Sequence, residues 1–226
     1  MTSPTLSILV PIYNEAKTLA TVMHALHAKC PDAQMIYVDD GSKDDSLKIL
    51  REHARPQDIV LTKSNGGKGS AIRMGLQEAT CPYTIIQDAD LEYDPAEIIL
   101  LLHEAMAHPG AAVFGSRFLR PNPTIYRRFL WGNKFITKWL NLLFDAKLTD
   151  SYTCYKLLQT PLFQSLKLTA NGFELEAEIC AKCVKSGIPI REIPISYKPR
   201  TIEEGKKIRW SDAAKGVKMM LKVRFS

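Results

Sequence analysis

Short apolar runs alternate with longer amphipathic segments over the first half of the chain. The runs are rich in β-branched residues, which is typical of buried strands. In the longer segments apolar residues recur every three or four positions, which is typical of helices. This alternation predicts an α/β fold built on a mostly parallel sheet. The predicted strands span residues 6–12, 35–38, 59–62, 83–87 and 111–115, and the predicted helices span 15–28, 42–54, 67–79 and 95–107.

The second half of the chain has a less regular pattern. Two prolines within residues 121–125 predict a loop, and residues 126–144 predict one helix that is rich in aromatic side chains. Pro189 and Pro194 interrupt an apolar run at 188–197, which therefore predicts an edge strand. The remaining predicted elements are a strand over 153–158, a helix over 173–185 and a basic helix over 211–224.

The length allows one large domain or two small ones, and the composition is that of a folded chain. The 226 residues are 46% hydrophobic and 24% charged, which argues against long disordered segments. No apolar run approaches the roughly 20 residues of a membrane span, and the first residues lack the positive charges that begin a signal peptide. The five cysteines are an odd number, so we expect reduced thiols and a cytoplasmic protein.

The positions of the charges add to this picture. The net charge is +6, yet residues 116–144 carry six basic and no acidic side chains, and residues 196–226 carry nine basic and three acidic ones. The rest of the chain is therefore acidic. Two basic segments on an acidic body predict a face for anions such as phosphates, nucleic acid or an anionic membrane, although a solvated basic surface has the same pattern.

Acidic and polar residues follow three of the predicted strands at their carboxyl ends, where open α/β sheets bind ligands. Asn14 and Glu15 follow the first strand, Asp39-Asp40 the second, and Asp88-Ala89-Asp90-Leu91-Glu92 the fourth. Alternate residues of an extended segment point the same way. The carboxylates at 88, 90 and 92 therefore suit one hard cation such as Mg²⁺ or Mn²⁺. A turn with acidic caps before the next helix is the alternative.

A glycine-rich segment, Asn65-Gly66-Gly67-Lys68-Gly69, opens the predicted helix at 67–79. Backbone N–H groups at such a helix start bind phosphate, and a tight turn has the same composition. The segment matches neither a Walker A loop nor the G-x-G-x-x-G motif of dinucleotide-binding folds. Cys180 and Cys183 form one C-x-x-C pair without a second pair, which argues against a zinc site.

Together these motifs resemble glycosyltransferase family 2, inverting enzymes that use nucleotide sugars. The resemblance lies in VPIYNE (10–15), VDDGS (38–42), NGGKGSAIRMG (65–75) and DADLEYDP (88–95). Further segments resemble the branch of dolichol-phosphate mannose synthases and bacterial polyprenyl-phosphate glycosyltransferases: FGSRF (114–118), DSYTCYK (150–156), GFELEAE (172–178) and the stretch 200–207. The resemblance implies one glycosyltransferase A-type, Rossmann-like domain over 1–226. Its nucleotide-sugar and metal half would be 1–115, and its acceptor half 116–226.

The resemblance also implies roles for individual residues. The metal on the donor diphosphate would be held by Asp88, Asp90 and Glu92, where many relatives have glutamine at the last position. The nucleotide pocket would be lined by Pro11, Tyr13, Glu15, Val38, Asp40 and Ala89. Phosphate groups of donor and acceptor would be bound by Lys68, Arg117, Arg128 (or Arg127), Arg200 and Lys206 (or Lys207). The residues expected to be catalytic are Asp88, Asp90 and Arg117.

The class of acceptor depends on whether the site has a general base. Transfer to a sugar hydroxyl requires one, and the clearest extra acids are Asp150, Glu176 and Glu178. A phosphate acceptor is already an anion and requires only cations to position it, which suits the basic segment 116–144. The processive polysaccharide synthases of the family carry a Q-x-x-R-W motif that this chain lacks, since Lys206 stands at the glutamine position.

The helix at 126–144 predicts contact with a membrane surface. Its basic residues fall on a narrow stripe beside Trp131, Phe135 and Trp139, which is typical of an interfacial helix, while a buried helix or a dimer contact is the alternative. Basic residues of the last helix suit anionic headgroups. We therefore expect a peripheral enzyme on the cytoplasmic face of a membrane. The resemblance implies that this enzyme transfers mannose or glucose from a GDP- or UDP-linked sugar to a polyprenyl or dolichyl phosphate. We expect no nucleic acid among its partners. The alternatives are a soluble or saccharide hydroxyl acceptor and a catalytically silent nucleotide-binding protein.

Overall fold

The structure is a computed structural model that describes residues 4–123, 127–201, 203 and 210–226, with the backbone alone at 127–129, 210 and 211. The strands in these residues are β1 (Leu6–Ile12), β2 (Gln34–Asp39), β3 (Ile59–Thr62), β4 (Tyr83–Ile86), β5 (Ala112–Ser116), β6 (Lys156–Gln159) and β7 (Ile190–Pro194). The α-helices are α1 (Leu19–Lys29), α2 (Ser46–His53), α3 (Lys68–Gln77), α4 (Ile98–Ala107), α5 (Arg127–Phe144), α6 (Thr160–Ser165), α7 (Leu175–Lys185) and α8 (Trp210–Phe225). A 3-10 turn, Pro95–Glu97, leads into α4.

The strands form one sheet in the order β3-β2-β1-β4-β6-β5-β7. β6 runs antiparallel to its neighbours β4 and β5, and the other neighbouring strands of this sheet are parallel. The predicted α/β class and the mostly parallel sheet are therefore confirmed. β7 lies at an edge, as the prolines at 189 and 194 predict, because a proline lacks the N–H group that a central strand donates.

The strand order places the acidic strand ends side by side. β1 lies between β2 and β4, and the register pairs Ile12 with Asp39 of β2 and Leu9 with Ile86 of β4. The chain leaves β1 toward β2 and β3 on one side and returns to β4 on the other. This makes a topological switch point at the end of β1, which is where open α/β sheets leave a crevice for a ligand.

Loops at this edge replace the first turns of two predicted helices. α1 begins at Leu19 instead of residue 15. Asn14 has a left-handed φ of 51°, and the N–H group of Thr18 donates a hydrogen bond of 3.0 Å to the Glu15 carbonyl oxygen, so a turn precedes the helix. α2 begins at Ser46 instead of near Ser42. The hydroxyl oxygens of Ser42 and Ser46 accept hydrogen bonds from the N–H groups of Asn14 and Glu15. The two serines therefore join the ends of β1 and β2.

The second half of the chain differs from the prediction in small ways. β6 starts at Lys156 instead of 153, and the short helix α6 follows it at once, although the sequence pattern did not indicate it. α5 buries Ile136, Leu140 and Phe144 in the core, and α8 packs against α5 and α7. The two basic helices are therefore neighbours in space. None of the helices in the described part of the chain is long and apolar enough to cross a bilayer.

Candidate active site

A cavity of about 1000 Å³ lies at the carboxyl ends of β1, β2 and β4. Its other walls come from α5, α7, α8 and the segment that follows β7, so both halves of the chain contribute to it. Of the residues expected from the sequence, the following line it: Pro11, Tyr13, Glu15, Asp40, Lys68, Asp88, Ala89, Asp90, Glu92, Arg117 and Arg200.

Val38 is an exception and is corrected by the structure. It lies within β2, is 1% exposed and is absent from the cavity wall. Its Cγ2 methyl lies 3.1 Å from the position that a Cβ at Gly75 of α3 would take, so the covering helix encloses it in the core. Two other expectations are not tested. The side chain of Arg128, like that of Arg127, lies outside the described residues, and so do Lys206 and Lys207.

Asp88 ends a chain of alternating charges. Lys68 Nζ lies 2.8 Å from Asp88 Oδ1 and 2.9 Å from Glu176 Oε1. The other carboxylate oxygen of Glu176 accepts a hydrogen bond from Lys156, whose side chain is fully buried. Burial, the largest single influence, would by itself raise the pKa of Asp88, but the charge and hydrogen bond of Lys68 and smaller contributions from other neighbours together outweigh it, and the pKa is lowered. Asp88 therefore keeps its negative charge inside the cavity.

Asp90 shares one guanidinium group with Glu15. Arg200 Nη2 lies 3.0 Å from Asp90 Oδ2, and Arg200 Nη1 lies 2.9 Å from Glu15 Oε2. Burial, with the negative charges of Asp88 and Glu92, raises the pKa of Asp90 to about 7 in spite of this contact. Carboxylates so close to each other repel, and a bound cation relieves that repulsion.

Glu92, expected as the third metal ligand, has its carboxylate engaged by another segment. Its Oε2 accepts a hydrogen bond of 3.0 Å from Tyr197 Oη, and its Oε1 accepts one of 2.7 Å from Arg200 N. Its carbonyl oxygen also accepts one from Lys198 N. These contacts join the segment 197–200 to the loop after β4. In this structure Glu92 therefore positions Arg200, the residue that reaches Asp90.

Arg117 forms a bidentate ion pair with Asp150. Arg117 Nε and Nη2 lie 2.7 and 2.8 Å from the two carboxylate oxygens, and Asp150 is fully buried. Burial, the largest single influence, would by itself lower the pKa of Arg117, but the charge and hydrogen bonds of Asp150 and smaller contributions from other neighbours together outweigh it, and the pKa is raised well above its usual value. The guanidinium also lies 5.0 Å from the ring centre of Tyr197 and 5.7 Å from that of Phe118. Two aromatic rings and one carboxylate therefore fix its position.

Asp40 lines the cavity, but its carboxylate binds the glycine-rich segment. Gly66 N and Gly67 N donate hydrogen bonds of 2.9 and 2.7 Å to it, and Lys63 Nζ donates one of 2.7 Å. Gly67 has a φ of 92°, and a Cβ at Gly69 would lie 2.5 Å from Ala170 O. The donors of this segment serve Asp40, and its glycines allow close backbone packing. The structure therefore supports a tight turn here and not a phosphate loop.

Gly69→Ala should lower the free energy of unfolding by about 1–2 kcal/mol, because the clash with a backbone carbonyl outweighs the higher helix propensity of alanine. Chemical denaturation measures this change. Ser70→Ala is the control in the same helical turn. Ser70 Oγ has no hydrogen-bond partner among the described residues, so its loss should change stability by less than about 0.5 kcal/mol. Unchanged stability of Gly69→Ala with weakened nucleotide binding would instead support a phosphate loop.

The three extra acids that the sequence offered as a general base are all engaged. Asp150 binds Arg117, and Glu176 lies between Lys68 and Lys156. Glu178 is fully buried and lies outside the cavity lining. It accepts hydrogen bonds from the N–H groups of residues 169 and 170 and pairs with Lys182 at 2.8 Å.

α5 and α8 form a part of the cavity wall that the sequence did not indicate. Lys134 Nζ lies 5.7 Å from the ring centre of Phe118, the ring that Arg117 also contacts. Asp212, in the first turn of α8, is only 8% exposed. Periodicity identified both helices, but which of their residues face the cavity depends on how α8 packs against α5. The same two helices also contribute Leu130, Asn133 and Lys215, and the segments before β6 and α7 contribute Tyr152 and Phe173.

The carboxylates of Asp88 and Asp90 fit a hard divalent cation in their chemistry, since Mg²⁺ and Mn²⁺ prefer oxygen ligands. Among the residues that the structure describes, no group of three or more His, Cys, Asp or Glu side chains is arranged to hold a metal ion alone. Mg²⁺ is commonly bound by one or two carboxylates and completes its coordination with substrate phosphates and water. The two carboxylates therefore suit an ion that a bound diphosphate also contacts.

Comparison with known proteins agrees with this arrangement. A polyprenol monophosphomannose synthase of Mycolicibacterium smegmatis is 24% identical over 209 residues, which cover 86% of this chain and 78% of that protein. The glycosyltransferase AglJ of Haloferax volcanii is 28% identical over 195 residues, which cover 85% of this chain and 63% of that protein. The chain spans 40–63% of the lengths of four of the curated relatives that it matches.

A solved structure has the same fold. Glucosyl-3-phosphoglycerate synthase of Mycobacterium tuberculosis, in complex with Mn²⁺, uridine diphosphate and phosphoglyceric acid, superposes with a TM-score of 0.76 at 16% identity, covering 98% of this chain and 78% of that one. This likeness confirms the predicted fold. The model of the Glycosyl transferase family 2 matches residues 7–166, which are most of the chain. The predicted family and, at the level of the family, the predicted class of enzyme are confirmed. The chain therefore belongs to glycosyl transferase family 2.

Proposed function

We propose that the chain is an inverting, metal-dependent glycosyltransferase that moves a hexose from a nucleotide diphosphate sugar to a polyprenyl phosphate. One observation carries the proposal: a single lining contains both the acids that follow β1 and β4 and two cations, Arg117 and Lys134, that share the Phe118 ring. The acids suit a nucleotide diphosphate with its cation, and the two cations suit a phosphate. The name of the Mycolicibacterium relative supports this combination.

The proposed reaction needs no general base. An oxygen of the acceptor phosphate forms a bond to the anomeric carbon while the bond from that carbon to the donor diphosphate breaks. Attack from the opposite face inverts the configuration. Because the second pKa of a phosphate is about 6, the attacking oxygen carries no proton to remove. This agrees with the engagement of Asp150, Glu176 and Glu178 by cations and N–H groups.

On the donor side, Asp88 and Asp90 would hold Mg²⁺ or Mn²⁺. The ion supplies positive charge to the departing diphosphate. Lys68 and Arg200, which contact the same two carboxylates, supply further positive charge at the same place. This proposal includes the division of the chain into a donor half, 1–115, and an acceptor half, 116–226. It also includes the donor, which would be mannose or glucose linked to GDP or UDP.

Radiolabelled transfer tests the proposal. The chain is incubated with GDP-mannose or UDP-glucose, a polyprenyl phosphate and Mn²⁺, and the product is extracted into organic solvent. We expect label in the organic phase with one of the donors, and none when EDTA is present. Label that reaches only a water-soluble acceptor would overturn the lipid acceptor, and hydrolysis without transfer to either acceptor would overturn the transferase assignment.

The lipid acceptor is also supported by an exposed apolar face on α5, formed by Trp131, Phe135 and Leu142. These side chains are 68%, 62% and 75% exposed, and Lys134 and Lys138 are exposed between them. An apolar strip with interspersed lysines suits the interface of an anionic membrane. On the neighbouring α8, Leu221 and Phe225 are also exposed. We therefore propose peripheral contact with the cytoplasmic face of a membrane.

The exposed apolar face of α5 differs by one residue from the face expected from the sequence. Trp139, expected beside Trp131 and Phe135, is only partly exposed and packs against the core. Leu142 takes its place, because it lies two helical turns after Phe135 on the exposed side. Trp139 is therefore unsuitable for a test of membrane contact, since its replacement would disturb packing.

The triple variant Trp131→Ser, Phe135→Ser and Leu142→Ser should release the enzyme from anionic liposomes without unfolding it. Burial in the interface contributes roughly 1.5–3 kcal/mol for each large apolar side chain, by analogy with core burial. The apparent KM for a long-chain polyprenyl phosphate should rise by about tenfold or more, while that for a short, water-soluble prenyl phosphate stays nearly constant. Liposome flotation at low and high salt measures binding, and only the contribution of the lysines should weaken with salt.

The matched control is Leu100→Ser with Met106→Ser, which removes two exposed apolar side chains from α4. We expect this variant to float with liposomes like the wild type. Wild-type protein that stays unbound at both salt concentrations would contradict the membrane contact. A triple variant that binds liposomes normally but changes its oligomeric state would show that the α5 face is a dimer contact.

A second candidate function is transfer to a soluble or saccharide hydroxyl group. Asp212 favours it, because this buried acid lines the acceptor end of the same cavity and a hydroxyl acceptor requires a base. Phosphoglyceric acid in the Mycobacterium tuberculosis complex is a water-soluble compound. Asp212→Asn separates the two candidates: a large loss of the maximal kcat with unchanged acceptor KM supports the hydroxyl acceptor, and unchanged kcat supports the phosphate acceptor.

A further inference from the structure

We propose that Tyr197 is a positioning residue that keeps the donor and acceptor sides of the active site in a fixed position relative to each other. Its ring would keep the acceptor arginine, Arg117, in place, and its hydroxyl group would keep the donor-side arginine, Arg200, in place through Glu92. This inference rests on the proposed function for the identity of the two ligands. The contacts themselves belong to the described residues of this chain.

The ring of Tyr197 contacts Arg117. The guanidinium carbon of Arg117 lies 5.0 Å from the centre of the Tyr197 ring, within the range of a cation–π interaction. Asp150 binds the edge of the same guanidinium through two hydrogen bonds. Asp150 fixes the direction of the guanidinium, and an aromatic face supports its plane. An aliphatic residue at 197 would remove the nearer of the two rings that contact the guanidinium and leave the ring of Phe118 at 5.7 Å.

The hydroxyl group of Tyr197 contacts Glu92, on the donor side of the proposed site. It donates a hydrogen bond of 3.0 Å to Glu92 Oε2, while Glu92 Oε1 accepts one of 2.7 Å from Arg200 N. The guanidinium group of Arg200 then reaches Asp90 at 3.0 Å and Glu15 at 2.9 Å. Tyr197 therefore restrains the carboxylate of Glu92, and Glu92 in turn restrains the backbone of Arg200. Loss of the hydroxyl group leaves Glu92 Oε2 without this donor.

The surroundings of Tyr197 hold the residue itself in one place. Its ring centre lies 5.4 Å from that of Tyr93, and its N–H group donates a hydrogen bond of 2.8 Å to Asn122 Oδ1. The amide nitrogen of Asn122 donates in turn to the carbonyl oxygen of Arg117. Ring and backbone of Tyr197 are thus both tied to Arg117. A shift of the segment 197–200 would therefore move both arginines together.

Two substitutions separate the two contacts. Tyr197→Phe keeps the ring and removes the hydroxyl group, so we expect the Kd for UDP or GDP with Mn²⁺ to rise by about three- to tenfold, while the KM for a prenyl phosphate changes less than about twofold. Tyr197→Leu removes both contacts. It should weaken nucleotide binding to the same extent and also raise the acceptor KM by about three- to tenfold. Calorimetry measures the Kd, and initial rates at saturating donor measure the KM.

Tyr83→Phe is the matched control. Tyr83 is also a buried tyrosine, but it lies outside the cavity lining, and its hydroxyl group makes a long contact of 3.5 Å with Ala105 O. We expect neither constant to change. Equal effects of Tyr197→Phe and Tyr197→Leu on the acceptor KM, or no effect of Tyr197→Phe on nucleotide binding, would overturn the inference. A wild type that binds nucleotide but transfers no sugar would overturn the proposed function instead, and the nucleotide Kd of Tyr197→Phe would still decide the donor-side contact.

Discussion

Asp90→Ala should lower kcat for sugar transfer by about 10³-fold or more while the fold stays intact. Asp90 would hold the cation that stabilises the leaving diphosphate. Loss of such a cation, or of a ligand that holds the cation, is expected to lower the rate by this amount. The fold should tolerate the change because burial and the neighbouring acids raise the pKa of Asp90 to about 7, which means that its charged form is unfavourable in the folded state. Arg200 keeps its second partner, Glu15. Initial rates with saturating donor and Mn²⁺ measure the loss, and thermal denaturation checks the fold.

The control for this prediction is Asp94→Ala in the same loop. Asp94 lies outside the cavity lining, and its Oδ1 accepts a hydrogen bond of 2.9 Å from Ala96 N, so it caps the 3-10 turn. Its loss should cost about 1 kcal/mol of stability and leave kcat nearly unchanged. Full turnover of Asp90→Ala, or of the wild type in EDTA, would contradict the metal site at Asp88 and Asp90.

Asp150→Asn should raise the KM for the acceptor by about 30- to 100-fold and lower kcat much less. The substitution removes the carboxylate that orients both edges of Arg117, and a misplaced hydrogen bond between a charged group and the acceptor phosphate costs about 1.5–3 kcal/mol, which is about 10- to 150-fold in affinity. It should also destabilise the fold by about 3–5 kcal/mol, because Arg117 is left buried without its counter-charge. Steady-state rates over a range of acceptor concentrations separate KM from kcat, and denaturation measures the free energy of unfolding.

Two further variants distinguish this effect from a general loss of structure. Glu178→Gln also alters a fully buried carboxylate, so it should lower stability without raising the acceptor KM. Arg117→Met with Asp150→Leu replaces the pair by apolar side chains, which should restore stability while the acceptor KM stays high. A loss of about 10³-fold in kcat for Asp150→Asn, with unchanged acceptor KM and a lost acidic limb in the pH profile, would instead identify Asp150 as a base and favour a hydroxyl acceptor.

The sequence predicted most of the acidic edge of the cavity. Glu15, Asp88 and Asp90 follow strands whose apolar runs are short and clear, and neighbouring parallel strands bring such residues to one edge. Val38 was misplaced for a related reason. It belongs to the same motif as Asp40, but β2 continues through Asp39, so Val38 is still covered by a helix.

The cavity wall formed by α5 and α8 was less predictable. Periodicity identified α5 as amphipathic, but it did not show that Trp139 packs on the core while Leu142 is exposed. That outcome depends on the angle at which α5 lies against α8 and the sheet. Asp212 gave no signal, because an isolated acid in a basic helix has the pattern of an ordinary surface residue.

The sequence by itself determined which residue types meet at the ligand edge, because strand boundaries follow from local apolar patterns and parallel strands share one carboxyl edge. Only the tertiary structure decided what each charge contacts. Arg200 reaches Asp90 from 110 residues away, and Lys68 reaches Glu176 from 108 residues away. Such pairings carry no local periodicity, since they depend on the packing of elements that are far apart in the chain. Arg117 and Asp150 were read as separate functional candidates for this reason, and the buried environment makes them one ion pair.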